Sequence, residues 1–536
     1  MIERIADAFD YIVVGGGSSG CAAAARLSEN PKNRVLLVEG GRRDRSPWIH
    51  VPATFFKVLE RGRDVLVYES EPEPALHGRR AIVPQGGVLG GGSSVNAMVY
   101  IRGAAADYDS WAQMGNRAWS YERVLPVFRG LEDNARFSDE YHGVGGPLHV
   151  SDLADGHALS KAFIAAAREA GLPANADFNG ATQEGVGFYQ TTTYRGRRWS
   201  AARAFLREAE RRGNLAILTG RRCARIIFEG RRAAGVVLED GAIYRAEGET
   251  VLCAGALETP RLLQLSGIGD AKALTELGVA CIADLPGVGE NYQDHFETPV
   301  QVEINEPTSL LGHDRGLRAV WHMAKYLIGR NGVLASNVVE CGGFAKVAGA
   351  DAPNIQFHVL PLVVGFVDRV PEPVHGVTVN PCLLRPRSRG SVKIVSADPR
   401  VKARFRSGAL TDPMDMHAQI CGVELALKIV ESPSLKRLVK RRILPKPGAE
   451  TDREALAEHI RATSKTVFHP SGTCKMGPAE DRSAVVGQDL AVHGVAALRV
   501  ADASIMPTLV SGNTNAPAIM IGARCANFIL GREAAA

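Results

Sequence analysis

Tyr11-Ile-Val-Val-Gly-Gly-Gly-Ser-Ser-Gly20 is followed by the alanine-rich run Cys21-Ala-Ala-Ala-Ala-Arg-Leu27 and then by Arg34-Val-Leu-Leu-Val-Glu39. The order reads as strand, glycine turn, helix and second strand, because short apolar β-branched runs bounded by turn residues suit buried strands. The glycines fall as GxGxxG at Gly15, Gly17 and Gly20. The first permits a tight turn, the second lets backbone approach a pyrophosphate, and the third allows close helix–strand packing. Ser18 and Ser19 then open a helix whose free N–H groups and positive dipole end suit phosphate. Glu39 closes the second strand about twenty residues on, where a carboxylate can accept hydrogen bonds from ribose hydroxyls. The unit predicts a dinucleotide site and by itself leaves NAD and FAD both open.

The rest of the chain sets bounds on that reading. At 536 residues the chain exceeds a single small core, so two domains are expected, woven together or consecutive. The 63 basic and 58 acidic residues are interspersed, with no basic stripe carrying aromatics, which argues against a nucleic-acid partner. Arginine pairs at 42–43, 79–80, 197–198, 211–212, 221–222 and 231–232 read as solvated faces. The nine cysteines are scattered without a CxxC pair, which indicates reduced thiols and neither a zinc site nor a dithiol motif. The N-terminus runs straight into the glycine turn with no leader-type apolar segment and cleavage site. No run approaches the ~20 apolar residues that span a bilayer. A cytoplasmic protein is expected.

Beyond residue 40 the pattern changes several times. Residues 51–80 are rich in Pro, Glu and Arg with little periodicity and read as a surface excursion. Residues 86–102 read as a glycine loop leading into a helix. Residues 225–228, 235–241 and 249–253 are strand-like and separated by turn residues, and 255–269 carry a helical pattern. Residues 354–360 and 390–395 look like strands of a separate sheet, and 415–432 like an amphipathic helix. A strand at 498–502 and a helix at 517–530 restore α/β character at the end.

Five blocks carry a family resemblance. Gly86-Gly-Val-Leu-Gly-Gly-Gly-Ser-Ser-Val-Asn-Ala-Met98 with Tyr100-Ile-Arg-Gly103 resembles the first signature of the glucose–methanol–choline oxidoreductases. Gly255-Ala-Leu-Glu-Thr-Pro-Arg-Leu-Leu-Gln-Leu-Ser-Gly-Ile-Gly269 resembles the second. Phe468-His-Pro-Ser-Gly-Thr-Cys-Lys-Met-Gly477, Val500-Ala-Asp-Ala-Ser504 and Ser511-Gly-Asn-Thr-Asn-Ala-Pro517 are similar to the C-terminal active-site blocks. The blocks occur in the family's order over essentially the whole chain.

The resemblance implies a Rossmann-like, doubly wound α/β FAD-binding domain and an α+β substrate domain with an antiparallel sheet, built from interleaved segments. Residues 1–150, 216–295 and 466–536 would belong mainly to the first, and 151–215 and 296–465 to the second. It implies FAD held by Gly15, Gly17, Ser18, Ser19, Gly20, Glu39, Gly90, Asn96, Met98, Cys223, Asp502, Ala503, Asn515 and Pro517. The flavin should be held non-covalently, because Val95 stands where some relatives tether it through histidine. Gly87 stands where a basic or polar residue is usual, so one pyrophosphate-side contact is expected to be missing.

The activity implied is oxidation of an alcohol to aldehyde or ketone, with electrons passed to dioxygen, a quinone or another carrier. Hydride removal from an alcohol carbon requires loss of the hydroxyl proton, a task suited to a histidine titrating near neutrality. His469 lies in the base-bearing block. Asn513 is its expected partner, an amide donor to an oxygen developing alkoxide character. An NAD-dependent dehydrogenase would account only for the N-terminal turn. A flavin-containing lyase of the hydroxynitrile lyase kind and a fatty-acid photodecarboxylase are rivals from other classes, and retention of the His–Asn pair favours oxidation. Cys474 reads as a packed thiol. His142, His149 and His157 lack metal-ligand spacing, so no metal is expected. Arg195, Arg197 and Arg198 read as a solvated loop, and Phe357 and His358 are candidates for the substrate cavity.

Overall fold

The computed structural model describes residues 5–365 and 372–533. Residues 1–4, part of the segment weighed above for a leader, lie outside them, as does the end of the last expected domain segment. Two large sheets organise the chain. The first has a parallel core in which Leu215–Thr219, Val35–Glu39, Ile5–Val14, Ile243–Leu252 and Leu498–Val500 lie side by side. Arg232–Leu238 and Cys223–Glu229 extend it antiparallel from the other half of Ile243–Leu252. Every residue of Val35–Glu39 is buried, as a strand covered on both faces must be. Each leucine buried there contributes roughly 1.5–3 kcal/mol relative to exposure.

Helix Ser18–Leu27 follows the glycine turn, and its alanines let it lie close to the sheet. A Cβ on Gly20 would stand 1.8 Å from the Gly15 carbonyl oxygen, so the turn admits only glycine there. The terminal helix Asn515–Ile529 packs against this first helix just as closely. A Cβ on Gly522 would stand 2.1 Å from the Ser19 carbonyl oxygen. Ser18 Oγ donates to Asn515 Oδ1 at 2.8 Å, and Arg26 Nη1 donates to Asn527 Oδ1 at 3.1 Å. The two ends of the chain therefore build one wall.

The second sheet is antiparallel, ordered Val439–Leu444, Val300–Ile304, Gly376–Leu383, Ile355–Leu360, Cys341–Ala345 and Gly185–Phe188. Phe296–Glu297 joins it beside Cys382 and pairs with Lys465–Thr466. One face buries Phe163, Ile355, Phe357, Val423 and Ile460 in a core under helices Ala158–Glu169, Pro413–Val430 and Arg453–Thr463. Period-two alternation then sends Gln356 and His358 to the opposite face.

Three expectations need correction. Residues 51–80 are ordered elements. Helix Phe55–Arg61 and strand Val65–Glu69 lie there, the strand paired antiparallel with Ile82–Gly86. The ribbon faces a cavity instead of a continuous core, which leaves little apolar periodicity to read. The glycine loop at 86–102 yields only the single turn Gly92–Val95, ended by extended Asn96, and the next helix begins at Ala105. Residues 390–395 supply Ser391–Lys393, which pairs with Arg404–Arg406 in a separate two-stranded ribbon instead of joining the large sheet.

Candidate active site

A cavity of about 540 Å³ runs between the two sheets, from Gly15, Glu39 and Arg222 at one end to His469 and Asn513 at the other. Its first stretch has bare backbone. Gly17, Gly92 and Gly255 line it, and a Cβ on any of them would meet nothing nearer than 3.9 Å. Gly91 closes against the first turn, since a Cβ there would stand 2.7 Å from Gly17 Cα. Two glycine loops thus lie back to back, leaving space where side chains would project. This cradle, at the N-terminus of helix Ser18–Leu27, fits a pyrophosphate.

Glu39 is buried at the end of the cradle. Its Oε2 accepts from Gly16 N–H at 2.7 Å and its Oε1 from Gly41 N–H at 2.5 Å. Burial raises its pKa, while those two N–H groups oppose the rise. Ser18, Ser19, Asn96, Met98, Cys223, Asp502, Ala503 and Asn515 also line the cavity. Asp502 is clasped as well, accepting from Gly255 N–H at 2.8 Å, Thr259 Oγ1 at 2.6 Å and Ser504 N–H at 2.8 Å. Gly20, Gly90 and Pro517 stand behind the lining residues. Gly90 N–H donates to Gly16 O at 2.7 Å, tying one glycine loop to the other. Val95 lies in the cavity wall. At Gly87 a side chain would run into Leu66, 2.9 Å from the Cβ position.

Arg198, expected in solvent, is fully buried. It donates to Ile49 O at 2.7 Å, Ser93 O at 3.0 Å and Asn96 Oδ1 at 2.7 Å, bracing the second glycine loop from behind. Burial brings its pKa down to about 9. Arg79 and Arg222 also line the cavity. No periodicity distinguishes such an arginine from a surface one.

At the far end the segment after Asn291 runs antiparallel to the segment around His469. Gln293 and Ser471 exchange backbone hydrogen bonds, and Val467 N–H donates to His295 O at 3.0 Å. The pairing sets His295 Nδ1 2.9 Å from His469 Nδ1, while His295 Nε2 lies 3.0 Å from Leu384 O. A carbonyl only accepts, so His295 carries its proton on Nε2. Burial lowers the His295 pKa to about 3, so the ring is neutral and its Nδ1 is bare. His469 must then donate from its own Nδ1. Burial first, and His295 and His358 next, hold the His469 pKa well below its ordinary value. Its Nε2 therefore presents a lone pair.

Asn513 Nδ2 lies 3.4 Å from that Nε2. Gln356 Nε2 donates to Asn513 Oδ1 at 3.1 Å, which orients the amide with its N–H group toward the histidine. Asp294 fixes the backbone beneath, accepting from His469 N–H at 2.8 Å and from Thr466 Oγ1 at 2.5 Å. A bare imidazole nitrogen beside an amide N–H can take a proton from a hydroxyl and hold the oxygen left behind.

His358 lines the cavity, whereas Phe357 points into the helix-covered core. Glu297 collects His358 Nδ1 at 3.0 Å, Asn380 Nδ2 at 2.9 Å and Lys465 Nζ at 3.2 Å. Burial pushes the Glu297 carboxyl up, but Lys465 and His358 outweigh it and hold the pKa below the usual range. His295, Gln356 and Glu297 went unnoticed in the sequence because only strand pairing brings them to this site.

The three histidines considered as metal ligands serve the framework. His142 bridges Glu132 and Asp177, His149 stacks on Tyr194, and His157 caps a helix by accepting from Leu159 N–H. Cys474 is a buried thiol, pushed up in pKa by burial. Among the described residues no cluster of three or more His, Cys, Asp or Glu has metal-binding geometry.

Comparison with known proteins agrees with this architecture. The family models for GMC oxidoreductase match residues 9–297 and 386–522. An alcohol dehydrogenase [acceptor] of Pseudomonas putida is 42% identical over 530 residues, covering 97% of this chain and 96% of the relative. An oxygen-dependent choline dehydrogenase of Rhizobium etli is 39% identical over 531 residues, covering 98% and 96%. Pyridoxine 4-oxidase from Mesorbium loti superposes with a TM-score of 0.87 at 31% identity, over 97% of this chain and 98% of that one. With its Rossmann-like FAD-binding part and its sheet-containing substrate part, the chain belongs to the GMC oxidoreductase family.

Proposed function

We propose that this enzyme oxidises an uncharged, primary alcohol to the aldehyde, with His469 as base and Asn513 holding the substrate oxygen. The observation that carries the reading is the bare Nε2 of His469, fixed in that tautomer through His295 and Leu384. FAD, held non-covalently in the glycine cradle, supplies the hydride acceptor. His469 Nε2 takes the hydroxyl proton, and the Asn513 amide donates to the oxygen as negative charge develops on it. The low pKa of His469 keeps it unprotonated and ready at neutral pH. Gly15, Gly17, Ser18, Ser19 and the loop through Asn96 and Met98 would hold the phosphates and ring, and Glu39 the ribose.

The relatives are named for an alcohol, for choline and for pyridoxine, each a hydroxyl-bearing compound, which supports a CH–OH donor. The same names include an acceptor-dependent and an oxygen-dependent enzyme, so a quinone or other carrier and dioxygen are the acceptors to compare. Glu297, at the substrate end of the cavity, is already held by Lys465 and His358, so this carboxylate is not free to pair with a cationic substrate. Anaerobic mixing with a primary alcohol tests the reading. Flavin absorbance should bleach, and His469→Ala should slow bleaching at least ~10²-fold, the usual worth of a general base, with FAD still bound. Product formation without bleaching would mark a lyase instead.

A further inference from the structure

Helix Gly316–Gly329, Gly-Leu-Arg-Ala-Val-Trp-His-Met-Ala-Lys-Tyr-Leu-Ile-Gly, presents an apolar face to solvent. Leu317, Val320, Trp321, Leu327 and Ile328 are between 62% and 89% exposed. At 3.6 residues per turn they fall, with Ala324 among them, on one arc of about 120°. Tyr326 lies on the opposite side and is the helix's buried residue. The helix thus rests on the protein by its less apolar side and turns its apolar side outward. Among the described residues no other helix or strand carries more than one exposed large apolar side chain. A contiguous patch of this kind marks an interaction surface.

The charges around the patch indicate what covers it. The helix contains no Asp or Glu, and Arg318 and Lys325 run along one edge of the apolar arc. Arg315, exposed just before it, lies 3.7 Å from Asp314, so the helix start is close to charge-balanced and the unpaired excess is that of Arg318 and Lys325. Apolar residues including tryptophan on one side and Lys/Arg at the border are the composition of a helix lying in a lipid interface. A second copy fits less well, because a two-fold contact would set each patch on itself and bring Arg318 and Lys325 toward their own counterparts. The patch also adjoins the active-site cavity. Lys57 lies 3.6 Å from Asp314 at the helix's start, and its neighbours Phe55, Phe56 and Leu59 line the cavity. After the helix, Asn337 Nδ2 donates to Ala97 O at 2.9 Å, and Val339 lines the cavity.

We infer that this enzyme docks peripherally on an anionic lipid bilayer through helix Gly316–Gly329, with the cavity wall beside the membrane surface. The test is flotation of the full-length, FAD-loaded protein with vesicles of equal parts phosphatidylglycerol and phosphatidylethanolamine, and with phosphatidylcholine vesicles. Wild type should float with the anionic vesicles. Leu317→Glu with Ile328→Glu should lower partitioning at least ~10-fold, since each removes an apolar anchor and adds a repelled charge. Arg318→Glu with Lys325→Glu should weaken binding to anionic vesicles and leave the smaller binding to phosphatidylcholine unchanged. FAD content and turnover of a water-soluble alcohol should be unaffected in both variants, which separates lost docking from misfolding. The inference is overturned if wild type fails to float, or if the Leu317/Ile328 variant floats as well as wild type. A wild-type dimer that this variant splits, with neither form floating, would assign the face to a second copy instead.

Discussion

The Nδ1 atoms of His295 and His469 lie 2.9 Å apart although 174 residues separate them in the chain. Both rings are neutral and the Leu384 carbonyl takes the outer proton, so the line of hydrogen bonds has one direction. It ends at His469 Nε2, the atom the proposed chemistry uses. In the proposed mechanism His295 acts through His469, as a positioning residue.

Removing His295 should therefore disturb more than packing. His295→Ala leaves the His469 N–H without its acceptor, a loss of ~1–3 kcal/mol for a buried donor, or roughly 10- to 100-fold in the rate of flavin reduction. The pH profile supplies the second readout. In wild type the base is held below 6.5, so the rate should stay flat as pH falls through 6.5 and decline only below it. The variant admits water and removes one of the groups that lower the His469 pKa, so its acid limb should move up toward 6.5. A slower variant with an unmoved limb would leave His295 a merely structural role.

Asn513 makes a separable contribution. If its amide holds developing negative charge, Asn513→Ala should lose ~2.7–4 kcal/mol of transition-state stabilisation, a drop of roughly 10²–10³ in the rate per bound flavin. Asn513→His, which can still donate, should recover part of it. Single-turnover reduction measured beside flavin occupancy decides the matter. An unchanged rate per flavin with lower occupancy would make Asn513 a structural residue.

The cofactor should come away without covalent attachment. Val95 lines the cavity and has no nucleophilic atom. Acid precipitation of the yellow protein is expected to release free FAD into the supernatant. Colour retained wholly in the pellet would contradict non-covalent binding.

The Glu297 group predicts discrimination among alcohols. With Lys465 and His358 on the carboxylate, a quaternary ammonium finds that group already paired and must lose its hydration on entry. Choline should show a kcat/KM at least ~10-fold below that of an uncharged primary alcohol of similar size, and Lys465→Met should narrow the gap by freeing the carboxylate. Equal kcat/KM values in wild type would remove Glu297 from substrate selection.

The sequence alone determined the dinucleotide cradle, because the reasons for its glycines are local. Turn geometry, helix start and strand end lie within the 26 residues from Val14 to Glu39, and each constraint leaves a residue type at a fixed spacing. It also marked His469 and Asn513, whose flanking blocks are distinctive along the chain. What it could not carry was the direction of the proton on His469. That depends on His295 and Leu384, which reach the site through antiparallel pairing and leave no spacing to read. Arg198 was hidden for the same reason, since a buried arginine bracing a loop has the sequence surroundings of a solvated one. The outward apolar face of helix Gly316–Gly329 inverts the usual expectation. Its amphipathic period is written in the sequence, but which side meets the protein is decided only when Tyr326 packs inward and leaves Leu317 and Ile328 in solvent.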